Sequence, residues 1–277
     1  MTTVDKERID VLLVERGYFE SREKAKKALM AGLVLVNDET VDKSGMKVPR
    51  DAHIKVKGAL HPYVSRGGLK LEKAVKSFGI QLTGVTMLDI GASTGGFTDC
   101  ALQHGAAHVY AIDVGYNQLD WSLRQDDRVT VMERTNFRYM KPDMLQGPNP
   151  TFASIDVSFI SLKLILPALS GLLQRESGVV ALIKPQFEAG REKVGKSGVV
   201  REPAVHKEVI KTVTQAAAQL GYLLQDLTFS PITGGEGNIE FLAYWIWKDE
   251  PNADVPDEAR IHNLVLEARG TFTTNKE

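Results

Sequence analysis

From residue 85 onward the chain alternates short apolar runs with helical stretches, and this alternation constrains the fold more than any other feature. VTMLDI, VYAIDVG, VTVMERT, FASIDVSF, GVVALIKPQF and IEFLAYWIW read as strands, with helices supplied by the residues between them. Strands separated by helices predict an α/β domain: a mostly parallel sheet with helices on both faces. Ligands of such sheets sit beyond the carboxyl ends of the strands, so the charged residues at those ends are the ones to inspect. Ser65 to Phe78 reads as a preceding helix, with Leu69, Ala74, Val75 and Phe78 at helical spacing and Gly79 as terminator.

The first 60 residues follow a different pattern. Ile9, Leu12 and Leu13 recur at helical spacing and Gly17 stops that segment. Ser21 offers an N-cap for a second helix, with Ala25, Ala28 and Leu29 inward and an end at Gly32. The pattern then turns to period two in LVLVN, with Val34 and Val36 on one face, followed by VDKSGMKV and HIKV. This predicts a compact α+β module over residues 1–60. The stretch GALHPYV, Gly58 to Val64, links it to the α/β domain, with 61–64 as the linker proper and 65–250 as that domain. Residues 251–277 read as a helix with Ile261, Leu264 and Val265 inward and a polar tail.

In LDIGASTGGFT an apolar strand ends at Asp89 and runs into Gly91, Gly95 and Gly96, with Thr98 opening a helix. A dinucleotide fingerprint reads G-x-G-x-x-G and brings a pyrophosphate onto a helix N-terminus. Here the spacing is G-x-x-x-G-G, which favours a ligand without pyrophosphate, such as S-adenosylmethionine. Asp89, Gly91, Ser93, Thr94, Gly95, Gly96 and Phe97 are the expected cofactor-binding residues of this segment. Asp113, 22 residues after Gly91 at the end of the next strand, is either an acceptor for two ribose hydroxyls or a helix N-cap. Asn136, in ERTNFR, serves either the adenine side or a turn. Loop and acid together resemble the class I methyltransferases.

Charge divides unevenly. Residues 1–70 hold 14 Lys and Arg against 10 Asp and Glu, and the remainder 20 against 25. A basic N-terminal piece on an acidic body implies a local anionic contact, unless the unevenness is only that of a solvated surface. Arg22 and Lys26 lie four apart on the second helix, either tracking phosphates or facing water. The order RIDVLLVERGY, SREKAKKALMAG, LVLVNDETV, KSGMKV, DAHIKV resembles the S4 RNA-binding domain from Asp5 to Lys57. That resemblance implies RNA contacts by Arg8, Arg22, Lys26 and the turn at Asn37.

Four ionisable residues fall where the α/β domain gathers its strand ends: Lys70 in SRGGLKLEKA, Asp156 in SIDVSF, Lys184 in ALIKPQF and Glu240 in GNIEFLAYWIW. Taken singly, each also reads as a surface lysine, a salt bridge or a strand-edge charge. Together they resemble the Lys-Asp-Lys-Glu tetrad of FtsJ-type ribose 2′-O-methyltransferases. Joined to an S4 domain they resemble the TlyA family, also called hemolysin A, which methylates ribosomal RNA; SRGGLKL, LDIGASTGGFT, DVSFISL, KPQFE and GNIEF carry the match.

The resemblance implies S-adenosylmethionine-dependent 2′-O-methylation. Lys184 would be the base, Lys70 the neighbouring cation, and Asp156 and Glu240 the orienting carboxylates. A lysine works as a base near neutrality only if desolvation or a nearby cation lowers its pKa. The acceptor type also follows by exclusion. Amino-group methyltransferases usually carry Pro-Pro-aromatic after the fourth-strand acid, where this chain has Asp156-Val157-Ser158-Phe159. Pyrimidine C5 enzymes need a cysteine nucleophile, and Cys100, the only cysteine, reads as a small core residue.

FEAGREKVGKSGVVRE places Arg191, Lys193, Lys196 and Arg201 in a glycine-containing loop. With Arg66, these either close over RNA phosphates or belong to a solvated loop. GGEG, Gly234 to Gly237, is either a flexible flank or hairpin geometry. One cysteine excludes a disulfide framework and a cysteine metal cluster, and no metal is expected. The longest apolar stretch, Ile160 to Leu173, is broken by Lys163 and Pro167, so neither signal peptide nor membrane span is readable. The sequence therefore predicts a cytoplasmic monomer that acts on ribosomal RNA or ribosomal subunits, away from membranes. The competing readings are a catalytically silent RNA-binding or ribosome assembly factor, a membrane-active hemolysin lacking any span or strongly amphipathic basic helix, and an oxidoreductase, which the loop spacing disfavours.

Overall fold

The computed structural model describes residues 5–19, 21–30, 32–56, 61–253 and 255–274. Gly58 to Leu60 of the expected linker and the last three residues of the polar tail lie outside the described residues. The chain divides into two compact units, Met1–Pro62 and Tyr63–Glu277.

The first unit runs β1 (Lys6–Arg8), α1 (Ile9–Glu15), α2 (Arg22–Met30), β2 (Val34–Val36), β3 (Glu39–Thr40), β4 (Lys47–Pro49) and β5 (Ile54–Val56). Its two antiparallel sheets are β1 with β4 and the order β3-β2-β5. Ile9, Leu12 and Leu13 of α1 meet Ala25, Ala28 and Leu29 of α2 over Val34, Val36, Val48 and Ile54, so the residues at helical spacing are the ones that are buried. Ser21 accepts the Lys24 N–H at 3.3 Å, as an N-cap does. The strand β1 has no counterpart in the sequence reading: its three residues are charged, and its partner β4 lies about 40 positions further on. Asn37 and Asp38 both have positive φ, which gives the turn between β2 and β3 the mirror-image geometry that suits a tight hairpin.

The second unit continues with α3 (Gly68–Phe78), β6 (Thr86–Ile90), α4 (Gly96–Gln103), β7 (His108–Ile112), α5 (Trp121–Arg124), β8 (Val129–Met132), β9 (Phe152–Ile155), α6 (Leu166–Ser170), β10 (Ser177–Ile183), α7 (Pro185–Glu188), α8 (Pro203–Gln219), β11 (Tyr222–Phe229), β12 (Phe241–Trp247) and α9 (Glu258–Thr274). Its sheet has the order β11-β12-β10-β9-β6-β7-β8, with β12 antiparallel to both neighbours and the β10-β9-β6-β7-β8 run parallel.

All seven residues of β10 are buried, because both sheet faces are covered. Val179, Ala181 and Ile183 face one core, with Val209, Ile210 and Val213 of α8 and Ile261, Leu264 and Val265 of α9. Val180 and Leu182 face the other, with Leu71, Ala74 and Val75 of α3 and Phe97 and Ala101 of α4. Strand order reverses between β6 and β9, so the connections after these two strands run to opposite faces of the sheet and open a crevice above their carboxyl ends.

Two elements of this unit, α8 and β11, were not assigned from sequence. The signal for α8 is present nonetheless: Pro203 at its first position and buried Val209, Ile210, Val213 and Ala217 at helical spacing.

Candidate active site

The crevice is built on the loop after β6. Gly91 has φ +88°, and a Cβ there would lie 2.5 Å from the Asp156 carbonyl oxygen, so the ends of β6 and β9 meet at a distance that only glycine permits. Asp89 lies beneath the loop, not in the crevice. Its fully buried carboxylate accepts hydrogen bonds from Thr98 Oγ1 at 2.7 Å and Ser154 Oγ at 3.0 Å, and burial pushes its pKa up to about 6. Through these two bonds Asp89, expected from sequence among the cofactor-binding residues, ties the loop to β9. Thr94 and Gly95 also shape the loop, and neither lines the two cavities that adjoin it. The Thr94 carbonyl accepts the Asp120 N–H, and Gly95 packs against Leu119 and Leu123.

Two adjoining cavities open at the crevice. One, of about 450 Å³, is lined by Ile112, Asp113, Asn136, Phe137 and Arg138. Asp113 accepts the Ser93 N–H on one oxygen at 2.8 Å and the Gly115 N–H on the other at 2.7 Å, so it caps no helix. Asn136 caps the short turn Phe137–Tyr139 and also lines the cavity.

Sequence reasoning missed Glu133. It accepts the N–H groups of Asn117 and Gln118 at 2.8 and 2.9 Å and pairs with Arg124, which fixes the loop that follows Asp113. Burial pushes this carboxyl up, but those donors outweigh it and hold the pKa at about 2. The available signal was its place at the end of β8, matching that of Asp113 at the end of β7.

The second cavity, of about 660 Å³, shares Gly91, Ser93, Asp156, Ser158 and Phe159 with the first, and Gly96, Phe97 and Arg66 also line it. Lys70, Asp156, Lys184 and Glu240, brought from four separate segments, are all among its lining residues. Lys70 Nζ donates to Asp156 Oδ2 at 3.2 Å and to Glu240 Oε2 at 2.8 Å. Lys184 Nζ lies 2.5 Å from Asp156 Oδ1 and 3.2 Å from Ser158 Oγ. Gln186 Nε2 donates to the other Glu240 oxygen at 3.1 Å.

Local sequence explains these placements. Lys184 precedes Pro185, which forces it extended, ends β10 and starts α7. Glu240 lies one residue before β12, with its carboxylate over Gly234, where a Cβ would be 2.1 Å from Oε1. Ser158 and Gln186 were overlooked, although they stand inside DVSF and KPQF.

Alternating charges make this burial tolerable, since an isolated buried ion costs several kcal/mol. Burial pushes the Lys70 ammonium down, but Asp156 and Glu240 outweigh it and hold the pKa above the ordinary lysine value. Burial likewise pushes Asp156 up, and Lys70 and Lys184 more than reverse it. Lys70 is thus a fixed cation and Asp156 a fixed anion. At the mouth stands Phe159, 90 % exposed at φ +64°, with its ring 5.0 Å from that of Phe187.

Of the basic residues expected to close over this cavity, Arg66 lines it and the four of the 191–201 loop do not. Of their loop, Val194 and Gly198 reach it, whereas Arg191, Lys196 and Arg201 do not and Lys193 pairs with Glu208 at 2.6 Å. In the first unit, Arg8 and Arg22 converge on Asp10 and Lys26 is exposed on α2. Asn37 spends its side-chain oxygen on the His53 N–H at 3.0 Å, which makes it a turn residue.

Comparison with known proteins agrees with this layout. Residues 63–246 match the model of FtsJ-like methyltransferases and residues 7–54 that of the S4 domain. A Bacillus subtilis protein provisionally named an rRNA methyltransferase, YqxC, is 57 % identical over 99 % of this chain and 98 % of its own. The 16S/23S rRNA (cytidine-2′-O)-methyltransferase TlyA of Mycobacterium tuberculosis is 42 % identical over 87 % of this chain and 88 % of its own. A solved structure provisionally called a hemolysin, from Streptococcus thermophilus, superposes with a TM-score of 0.79 at 53 % identity, covering 99 % of both chains.

Proposed function

The chain belongs to the family of S4-domain, FtsJ-like methyltransferases that includes TlyA and hemolysin A, and from that premise we propose that it methylates a ribose 2′-hydroxyl of ribosomal RNA, with S-adenosylmethionine as methyl donor. The observation that carries this reading is the buried row Lys184–Asp156–Lys70–Glu240 on the wall of the larger cavity, next to a second cavity of nucleoside size.

The residues present fit the donor. Ile112 and Phe137 offer apolar walls, and each Asp113 oxygen keeps a lone pair for a ribose hydroxyl after accepting one backbone N–H. Gly91, Ser93 and Gly96 would hold its amino-acid portion. When bound, S-adenosylmethionine supplies a methyl group already activated on a positively charged sulfur, which leaves the protein to orient the acceptor oxygen and remove its proton.

Lys184 takes that proton at Nζ. The Ser158 hydroxyl, 3.2 Å from Nζ, shows that an alcohol oxygen fits at hydrogen-bond distance from this amine. Lys70, kept positive by two carboxylates, stands as the fixed cation on the other side of Asp156 from Lys184. Asp156 orients both amines, and Glu240 with Gln186 closes the row. Arg66 is placed for a phosphate of the acceptor strand, and Phe159 beside Phe187 gives an aromatic surface on which the acceptor base stacks. The first unit docks on folded RNA through Arg8, Arg22 and Lys26.

The test is transfer of labelled methyl from S-adenosylmethionine to purified small and large ribosomal subunits lacking the modification. Label should enter at least one subunit, and Lys184→Ala should slow its entry at least about a hundredfold. Transfer at the wild-type rate by Lys184→Ala contradicts the assignment.

A further inference from the structure

Asp10 was not singled out by sequence, and the structure gives it an arrangement that stability alone does not require. Its carboxylate is 0 % exposed, in the first turn of α1. Oδ1 accepts from Arg8 Nε at 3.0 Å, and Oδ2 accepts from Arg8 Nη2 at 3.2 Å, Arg22 Nη2 at 2.7 Å and Arg22 Nε at 3.2 Å. One arginine would neutralise this carboxylate. The second adds repulsion between like charges and leaves the cluster with a net positive charge.

Each guanidinium has five N–H donors and spends two on Asp10, leaving three on a side chain about half exposed. Two forks held by one buried anchor, with donors to spare, match the paired oxygens of phosphate groups.

We propose that Asp10 is a positioning residue that presents Arg8 and Arg22 as a preformed two-guanidinium clamp for phosphates of folded RNA. This rests on the reading that the first unit docks on ribosomal RNA. Fixing both side chains in advance removes the ordering cost that two free arginines would meet on binding. The clamp makes a prediction opposite in sign to simple electrostatics: removing the Asp10 charge makes the unit more basic and yet weakens RNA binding.

The experiment measures filter binding of the full chain to unmodified small- and large-subunit ribosomal RNA transcribed in vitro, at one fixed salt concentration. Asp10→Asn should bind about tenfold more weakly. Glu23→Gln, the same charge change at an exposed carboxylate beside Arg22, should bind as tightly as wild type or more tightly. Asp10→Asn binding at wild-type strength or better overturns the clamp. The double variant Arg8→Ala with Arg22→Ala separates this from the underlying reading. Wild-type binding by it removes the docking role of these arginines and the clamp with it, whereas loss of binding there beside intact binding by Asp10→Asn removes the clamp alone. If Asp10→Asn unfolds the first unit, Arg8→Lys with Arg22→Lys decides. It keeps both charges and loses both forks, so about fivefold weaker binding supports the clamp and wild-type affinity overturns it.

Discussion

Asp10 in the first unit and Asp156 in the second each hold two cations, and the difference between the two groups lies in what surrounds them. Over Asp10, Arg8 and Arg22 keep 44 % and 52 % of their side chains exposed. Around Asp156, Lys70 and Lys184 keep 10 % and 8 %, and Glu240 adds a second carboxylate that leaves the row neutral. The exposed pair offers charge to a polyanion and is weakened by salt, while the buried row fixes protonation and orientation and is screened little. The residue types differ accordingly: arginine gives the exposed group forked donors and a permanent charge, and lysine gives the buried row compact ammonium groups.

The sharpest way to break this contrast is at Lys184. Lys184→Ala should lower the methyl-transfer rate by about 10²- to 10⁴-fold while RNA binding, measured by filter retention, stays near wild type. Lys184→Arg sharpens the point: it keeps the charge but cannot give up a proton at neutral pH, so it should be as inactive as alanine. Next in size, Glu240→Gln leaves Lys70 with one carboxylate in a buried site. Denaturant unfolding should show a loss of about 3 kcal/mol, together with a slower rate.

The first unit should behave in the reverse manner. Arg8→Ala with Arg22→Ala should weaken RNA binding about tenfold and flatten the plot of log affinity against log salt by between about 1 and 2, with the rate at saturating RNA unchanged. The smallest effect concerns acid. Burial raises the Asp10 pKa, but its hydrogen bonds from Arg8 and Arg22 dominate and hold it at about 2, below the ordinary 3.8. A depressed carboxyl stabilises the fold above its unfolded pKa and loses that stabilisation as pH falls through its folded one. Circular dichroism should therefore show wild type losing a component of stability between about pH 4 and 2 that Asp10→Asn lacks.

The two groups also differ in how far sequence revealed them. Lys70, Asp156, Lys184 and Glu240 stand at strand ends or in the helix before the first strand, positions that the apolar alternation locates, so their types and places were legible. Their pairing was not, because Lys70 and Glu240 are 170 residues apart. Asp10 sits one residue from Ile9 in a short helix and looks like any solvated acid until Arg8 and Arg22 close over it.

The surroundings of Asp89 were likewise not legible. A strand-end acid before a glycine loop reads as a ligand contact, yet the strand turns its side chain toward Thr98 and Ser154. The charge run from Arg191 to Arg201 reads as a phosphate grip, but composition does not tell which loop residues face the cavity, and Val194 and Gly198 do. The strand β1 escaped for want of any local pattern, since its order comes from β4.

The central claim is that the buried row orients a ribose hydroxyl and takes its proton as S-adenosylmethionine gives up its methyl group. The most direct measurement is mass spectrometry of nucleosides from ribosomal RNA incubated with S-adenosylmethionine and either wild type or Lys184→Ala. The structure predicts a 2′-O-methylated nucleoside with the wild type, formed at least about a hundredfold more slowly with the variant. A methyl group on a base, or equal 2′-O-methylation by both proteins, contradicts it.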